Sequence, residues 1–164
     1  MEVQRSVIGP CCLLWFAAIY AGAAFALPND DKYLCTEPNP ESICSSVNTC
    51  GSTSVPCTVE IKRTDGVSVT PSIPNFKSND AFCVKRGTSV VWKSGSKDTG
   101  FLVDFGPSPP YTAAGAIIGG SDRSRSVVLT KQGCYKFSAG ACISGAISGM
   151  CASVDSKLVV TNGK

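Results

Sequence analysis

The sequence predicts an all-β sandwich tied by disulfides, and three observations carry that expectation. From residue 57 onward, short runs of alternating apolar and polar residues are separated by Gly, Pro, Ser and Asp turns, as expected of short paired strands. No stretch of the mature chain shows the 3.6-residue apolar period of an amphipathic helix. Eight cysteines follow a leader-like N-terminus in a chain of 164 residues, long enough for one ordinary domain.

Residues 1–26, MEVQRSVIGPCCLLWFAAIYAGAAFA, place a lone Arg5 ahead of an apolar stretch from Cys11 to Tyr20 and end in small residues. This is the profile of a signal peptide, with cleavage after Ala26 or after Ala23. The apolar stretch is shorter than the roughly 20 residues of a membrane-spanning helix. The expectation is a secreted or periplasmic protein without stable membrane insertion once the leader, with Cys11 and Cys12, is removed. Residues 27–56 are rich in Pro, Asn, Ser, Thr and Cys and show no sustained period, so they read as a cystine-tied extension unable to form a core alone.

Residues 57–164 read as the sandwich domain. In CTVEIKR, Cys57, Val59 and Ile61 share one face and Thr58, Glu60 and Lys62 the other, and Asp65-Gly66 then supplies a turn. The same pattern predicts strands near Phe82–Lys85, Thr88–Lys93, Gly100–Phe105, Ser126–Thr130, Cys134–Ser138 and Ala152–Thr161, with Arg86-Gly87 as a tight turn. Phe101, Val103 and Phe105 fall on one face with Asp104 on the other, and Tyr135 and Phe137 point inward from a later strand. By phase, Trp92 belongs to the same core. Two glycine-rich stretches, AAGAIIGG at 113–120 and AGACISGAISG at 139–149, read as long loops at the rim and as places for a binding surface. Neither has the spacing of a phosphate-cradling loop.

The mature cysteines are Cys35, Cys44, Cys50, Cys57, Cys83, Cys134, Cys142 and Cys151. An even number behind an export signal implies a disulfide framework, and the clustering at 35–57 and 134–151 suggests local bridges in each cluster with Cys83 joined to a distant partner. No two are separated by two residues, which argues against a thioredoxin-like redox pair and against zinc knuckles.

The run FCVKRGTSVVWKSGSKDTGFLVDFGPSPPY, followed by GCYKFSAGACISGAISGMCASVDSKLVV, resembles the cupredoxin family. The shared features are a Gly turn, a V-x-W strand, a loop, an alternating strand, G-x-Y-x-F and a closing strand, over roughly residues 57–161. The resemblance implies a cupredoxin-like Greek-key β-sandwich. In copper-binding members the loop after the V-x-W strand delivers one histidine and a loop near the C-terminus delivers a cysteine, a second histidine and usually a methionine. This chain has no histidine: Lys97-Asp98-Thr99-Gly100 stands at the first position, and Cys142 and Met150 are the remaining echoes at the second. A type 1 copper site is therefore excluded, and neither a metal nor another cofactor is expected.

Without histidine, Ser-His-Asp and Cys-His catalysis are unavailable. Asp98, Asp104, Asp122 and Asp155 are not brought together by local spacing, so a carboxylate-based hydrolase is the lesser alternative and no catalytic residue is assigned. The formal charge is +3 and the basic residues are scattered; Asp122-Arg123-Ser124-Arg125, the densest basic stretch, includes its own acid and reads as a solvated loop. Nucleic-acid binding is not expected. The favoured reading is a copper-free binding or structural module with an unknown protein or glycan partner, and the alternative is copper(I) handling through Cys142 and Met150 sulfur. The candidate surface comprises Lys97, Asp98 and Thr99 with the FGPSPPY segment, where Pro109 and Pro110 stiffen the chain and Tyr111 offers an aromatic contact; that segment reads at least as well as a rigid crossover tucked onto the sandwich.

Overall fold

The computed structural model describes residues 30–33, 35–120, 122–143 and 151–162. The expected leader, both of its cleavage sites and Met150 lie outside them. Among the described residues the chain forms nine strands and two short 3-10 turns, Asp30–Tyr33 and Pro40–Ile43. The strands are β1 (Cys57–Arg63), β2 (Val67–Pro71), β3 (Phe82–Lys85), β4 (Ser89–Ser94), β5 (Thr99–Asp104), β6 (Ile117–Gly120), β7 (Arg125–Val128), β8 (Gly133–Ile143) and β9 (Cys151–Thr161). They form a four-stranded sheet, ordered β2-β1-β4-β7, and a five-stranded sheet, ordered β3-β9-β8-β5-β6. Most neighbours are antiparallel, while β1 runs parallel to β4 and β3 parallel to β9.

Alternation in the sequence becomes alternation in burial. Cys57, Val59 and Ile61 of β1 are fully buried, and Phe101 and Val103 of β5 are buried while Leu102 between them is exposed. The inner faces of both sheets share one core, centred on an aromatic cluster. The Phe137 ring lies 4.9 Å from Phe105, 5.5 Å from Trp92 and 6.4 Å from Phe82. Such tilted and edge-on pairs add to the burial of large apolar area.

The turn readings at Asp65-Gly66 and Arg86-Gly87 agree with the structure. Arg63 pairs with Val67 across the first turn. Gly87 adopts φ +88° in the second, where Thr88 N–H donates to the Lys85 carbonyl at 3.1 Å. Two strands were not anticipated. β2 continues the hairpin from the Asp65-Gly66 turn, and β6 runs through the stretch read as a glycine-rich loop. A third difference is the length of β8, which extends through Ala139–Ile143, also read as loop, because it is paired on both sides, with β5 and with β9. Continuous ladder bonding on two flanks overrides the weak strand preference of Gly and Ala there.

Residues 30–33 and 35–44 lie across the outer face of the five-stranded sheet. Tyr33 hydroxyl donates to Asp104 Oδ2 at 2.7 Å, Glu37 pairs with Lys157, and Gln132 Nε2 donates to Glu41 Oε1 at 2.6 Å. Beneath this strap, Cys83 and Val159 are fully buried although they stand on the outer face of their strands. Gly106, at φ +71°, leaves the room that the Tyr33 ring occupies.

Four disulfides connect the described residues: Cys35–Cys134, Cys44–Cys83, Cys50–Cys57 and Cys142–Cys151. The bridges expected within each cluster hold for Cys50–Cys57 and Cys142–Cys151, and Cys83 does take a distant partner, 39 residues away. The expectation fails for Cys35, which crosses 99 residues to the other cluster because the strap carries it over the start of β8. A framework of this kind fits an oxidising compartment. Among the described residues no helix is long and apolar enough to cross a membrane.

Sheet edges are also occupied. Residues Asn48–Cys50 bond to β3 through Cys50 N–H to the Cys83 carbonyl and Cys83 N–H to the Asn48 carbonyl. Asn79 bonds to Val69 of β2 through both its backbone N–H and its side-chain oxygen. Such coverage blunts the template that an open edge offers to other chains.

Candidate functional site

Two connections carry the chain between sheets at the same end of the sandwich. Residues 95–98 lead from β4 to β5, and the segment after Gly120 leads from β6 to β7. The β8 terminus joins them there, since Thr99 pairs with Ile143 and Gly100 with both Cys142 and Gly120. Lys97 and Asp98 thereby meet Arg123 and Arg125 around a groove of about 600 Å³.

Its floor is backbone rather than side chain. Gly120 adopts φ +148°, and a Cβ there would overlap Gly100 on the neighbouring strand, so the two strands approach as only glycines permit. On the walls, Ile118 and Ile143 are 61% and 49% exposed. Beyond the groove lining, Leu102, the cross-strand partner of Ile118, is 40% exposed. Arg125 is held in place, because its Nε–H donates to the Ile118 carbonyl at 2.9 Å. That bond also closes the β6 edge, as do the paired backbone bonds between Gly120 and Arg123. The remaining guanidinium N–H groups of Arg125 are donors beside the groove. A smaller groove of about 330 Å³, lined by Tyr111 and Ala113–Ile118, shares Ile118 and Arg125 with the first.

The structure divides the candidate surface. Lys97 and Asp98 are exposed on the turn, whereas Thr99 is 5% exposed and its hydroxyl lies 2.7 Å from that of Ser96. Pro109, Pro110 and Tyr111 are buried, which corrects their placement on the binding surface. The Tyr111 ring packs 5.8 Å from Phe105, its hydroxyl donates to the Gly115 carbonyl at 2.9 Å, and the Pro110 carbonyl accepts from Thr130 and Lys131. Pro109, Pro110 and Tyr111 therefore form a crossover tucked onto the core. Burial raises the Tyr111 phenol above its ordinary value, with a smaller contribution from the Asp104 charge.

Cys142, the sulfur considered for copper(I), is bonded to Cys151 and offers no thiolate. Cys35, Glu37 and Cys134 cluster elsewhere, but both of those sulfurs are likewise in a disulfide. Asp98 and Asp122 are exposed at the groove end, and Asp104 and Asp155 stand on strands either side of Ser138. Arg123 and Arg125, read from sequence as a solvated loop, are the groove residues that local reasoning missed. The signal available was their position directly after the glycine-rich run ending at Gly120, which forms the floor. The chain matches no family model and no curated protein.

Proposed function

We propose that this chain is an exported, disulfide-stabilised, cupredoxin-like module without a type 1 copper centre, and that it works by binding a partner rather than by catalysis. The rim groove is the observation that carries the binding reading: cations, exposed isoleucines and a bare backbone floor meet on a scaffold that four disulfides hold. Recognition at the ends of a sandwich needs such a scaffold, because rim residues can then differ without loss of the fold. Support for the cupredoxin-like reading comes from Gly100 pairing with Cys142, which brings the loop after the V-x-W strand beside the C-terminal cysteine. In this chain that cysteine is cross-linked and the loop presents Lys97 and Asp98.

The test is the intact mass of the natively exported protein, with and without thiol alkylation, under conditions that keep bound metal. The expected result is a chain beginning after Ala23 or Ala26, unreactive to alkylation and carrying no copper. A free Cys142 accompanied by copper overturns the reading in favour of sulfur-based copper(I) handling, and a retained leader overturns export by signal cleavage.

A further inference from the structure

We infer that the rim groove takes an extended acidic peptide segment of a protein partner, its carboxylates on Arg125, Arg123 and Lys97 and its apolar side chains on the Ile118–Leu102 shelf. This deepens the binding reading above and rests on it.

Charge sets the sign of the ligand. Lys97, Arg123 and Arg125 face one carboxylate, Asp98, among the residues that line the groove. Arg125 is already oriented by its bond to the Ile118 carbonyl, so less rotamer freedom is lost when a carboxylate docks on its free N–H groups. The apolar residues set the class. Ile118, at 61% exposure, lines the groove with those cations, and Leu102, at 40%, pairs with it on the neighbouring strand, so burying the two rewards a ligand with aliphatic or aromatic side chains. An extended peptide alternates its side chains, so acidic and apolar groups fall on opposite sides and reach the two walls together.

A sulfated or carboxylated polysaccharide fits less well on two counts. Among the described residues no aromatic side chain lines the groove to stack against a sugar ring. Asp98 stands within the cation cluster, where it repels a ligand of continuous negative charge but accepts a backbone N–H from a peptide. Addition of a strand to the sheet is a poor alternative, because Arg123 and Arg125 already bond to the outer edge of β6.

The experiment presents the exported protein to an array of octapeptides in which Asp or Glu alternates with Leu, Val, Ile or Phe, with Asn/Gln-substituted copies and dextran sulfate as competitors. The best peptides are then titrated in solution while backbone amide shifts are followed. The expected outcome is saturable binding to acidic peptides, at least tenfold weaker for their amide copies, with shifts at Gly100, Ile118 and Gly120. Binding should fall about tenfold in Lys97→Ala/Arg123→Ala and in Ile118→Ser, two variants that leave the Arg125 bond to the Ile118 carbonyl in place. Dextran sulfate binding that is as tight and indifferent to Ile118→Ser overturns the peptide assignment while leaving a rim-binding module standing. Absence of peptide binding, or shifts confined elsewhere, overturns the inference; the alkylation and metal measurement then decides the broader reading independently.

Discussion

Removing Cys35–Cys134 should destabilise the protein more than removing Cys142–Cys151, and the difference follows from where the bridges lie. The first spans 99 residues, but Cys44–Cys83 short-circuits 39 of them, so that with the other bridges intact the loop it closes is about 60 residues. The second closes a separation of 9 residues. Loop entropy in the unfolded chain assigns about 4.3 kcal/mol to the longer closure and about 2.6 kcal/mol to the shorter, a gap of about 1.7 kcal/mol. The comparison is Cys35→Ala/Cys134→Ala against Cys142→Ala/Cys151→Ala in equilibrium guanidinium unfolding. Trp92, the one tryptophan beyond residue 26 and fully buried among aromatic rings, reports the transition by its fluorescence. Extrapolated stabilities that coincide, or that reverse in order, refute the assignment of the strap bridge as the dominant constraint on the unfolded chain.

Phe137→Ala should cost about 4 kcal/mol, the upper range for a fully enclosed aromatic, because Trp92, Phe105 and Phe82 all lose a ring neighbour; a loss under about 2 kcal/mol in thermal or denaturant unfolding would mean the core closes over the gap. The hydrogen bond to Asp104, with lesser help from burial and nearby carboxylates, raises the Tyr33 phenol above its ordinary value of 10.0. A raised folded value means stability present below the unfolded pKa and lost as pH rises through the folded one, so the advantage of wild type over Tyr33→Phe, about 1 kcal/mol, should hold at neutral pH and shrink above pH 10. An unchanged gap in strong alkali would show that the advantage does not depend on the proton that the Tyr33 hydroxyl donates to Asp104. The hydrogen bond from Lys62, followed by the charges of Lys62 and Lys93, lowers Glu60 below 4.5, so its contribution is present above that pH and lost as pH falls through the folded value. Glu60→Gln should accordingly remove less than about 1 kcal/mol at pH 7 and nothing at pH 2, checked by urea unfolding across the acid range.

Strands were legible where one face meets the core and the other meets water. CTVEIKR and GFLVDF carry that alternation in their side chains, and each becomes a strand within a residue or so of the expected bounds. The pattern disappears where side chains are small. Ala139–Ile143 and Ile117–Gly120 are strands because of what they pair with, and Gly, Ser and Ala carry little record of which face is buried. The site followed the same division. Lys97 and Asp98 are singled out because they follow the V-x-W strand in a run that resembles the cupredoxin pattern, while Arg123 and Arg125 join them at the groove because two crossovers meet at one end of the sandwich. Tyr111 shows the converse error: a Pro-rich segment ending in Tyr reads equally well as a presented motif or a packed strap, and only the fold distinguishes them.

The connectivity of the strap also bears on the order in which the covalent framework can close as the chain is synthesised from its N-terminus. Cys35 and Cys44 emerge early, yet their partners follow 99 and 39 residues later, whereas Cys50 and Cys57 arrive almost together. Until Cys83 and Cys134 appear, any bridge that Cys35 or Cys44 forms within residues 35–57 is mispaired and must be undone by attack of a free thiolate. A host lacking a disulfide isomerase should accordingly accumulate chains that are fully oxidised but have the strap fastened to itself, with Cys35 bonded to Cys44.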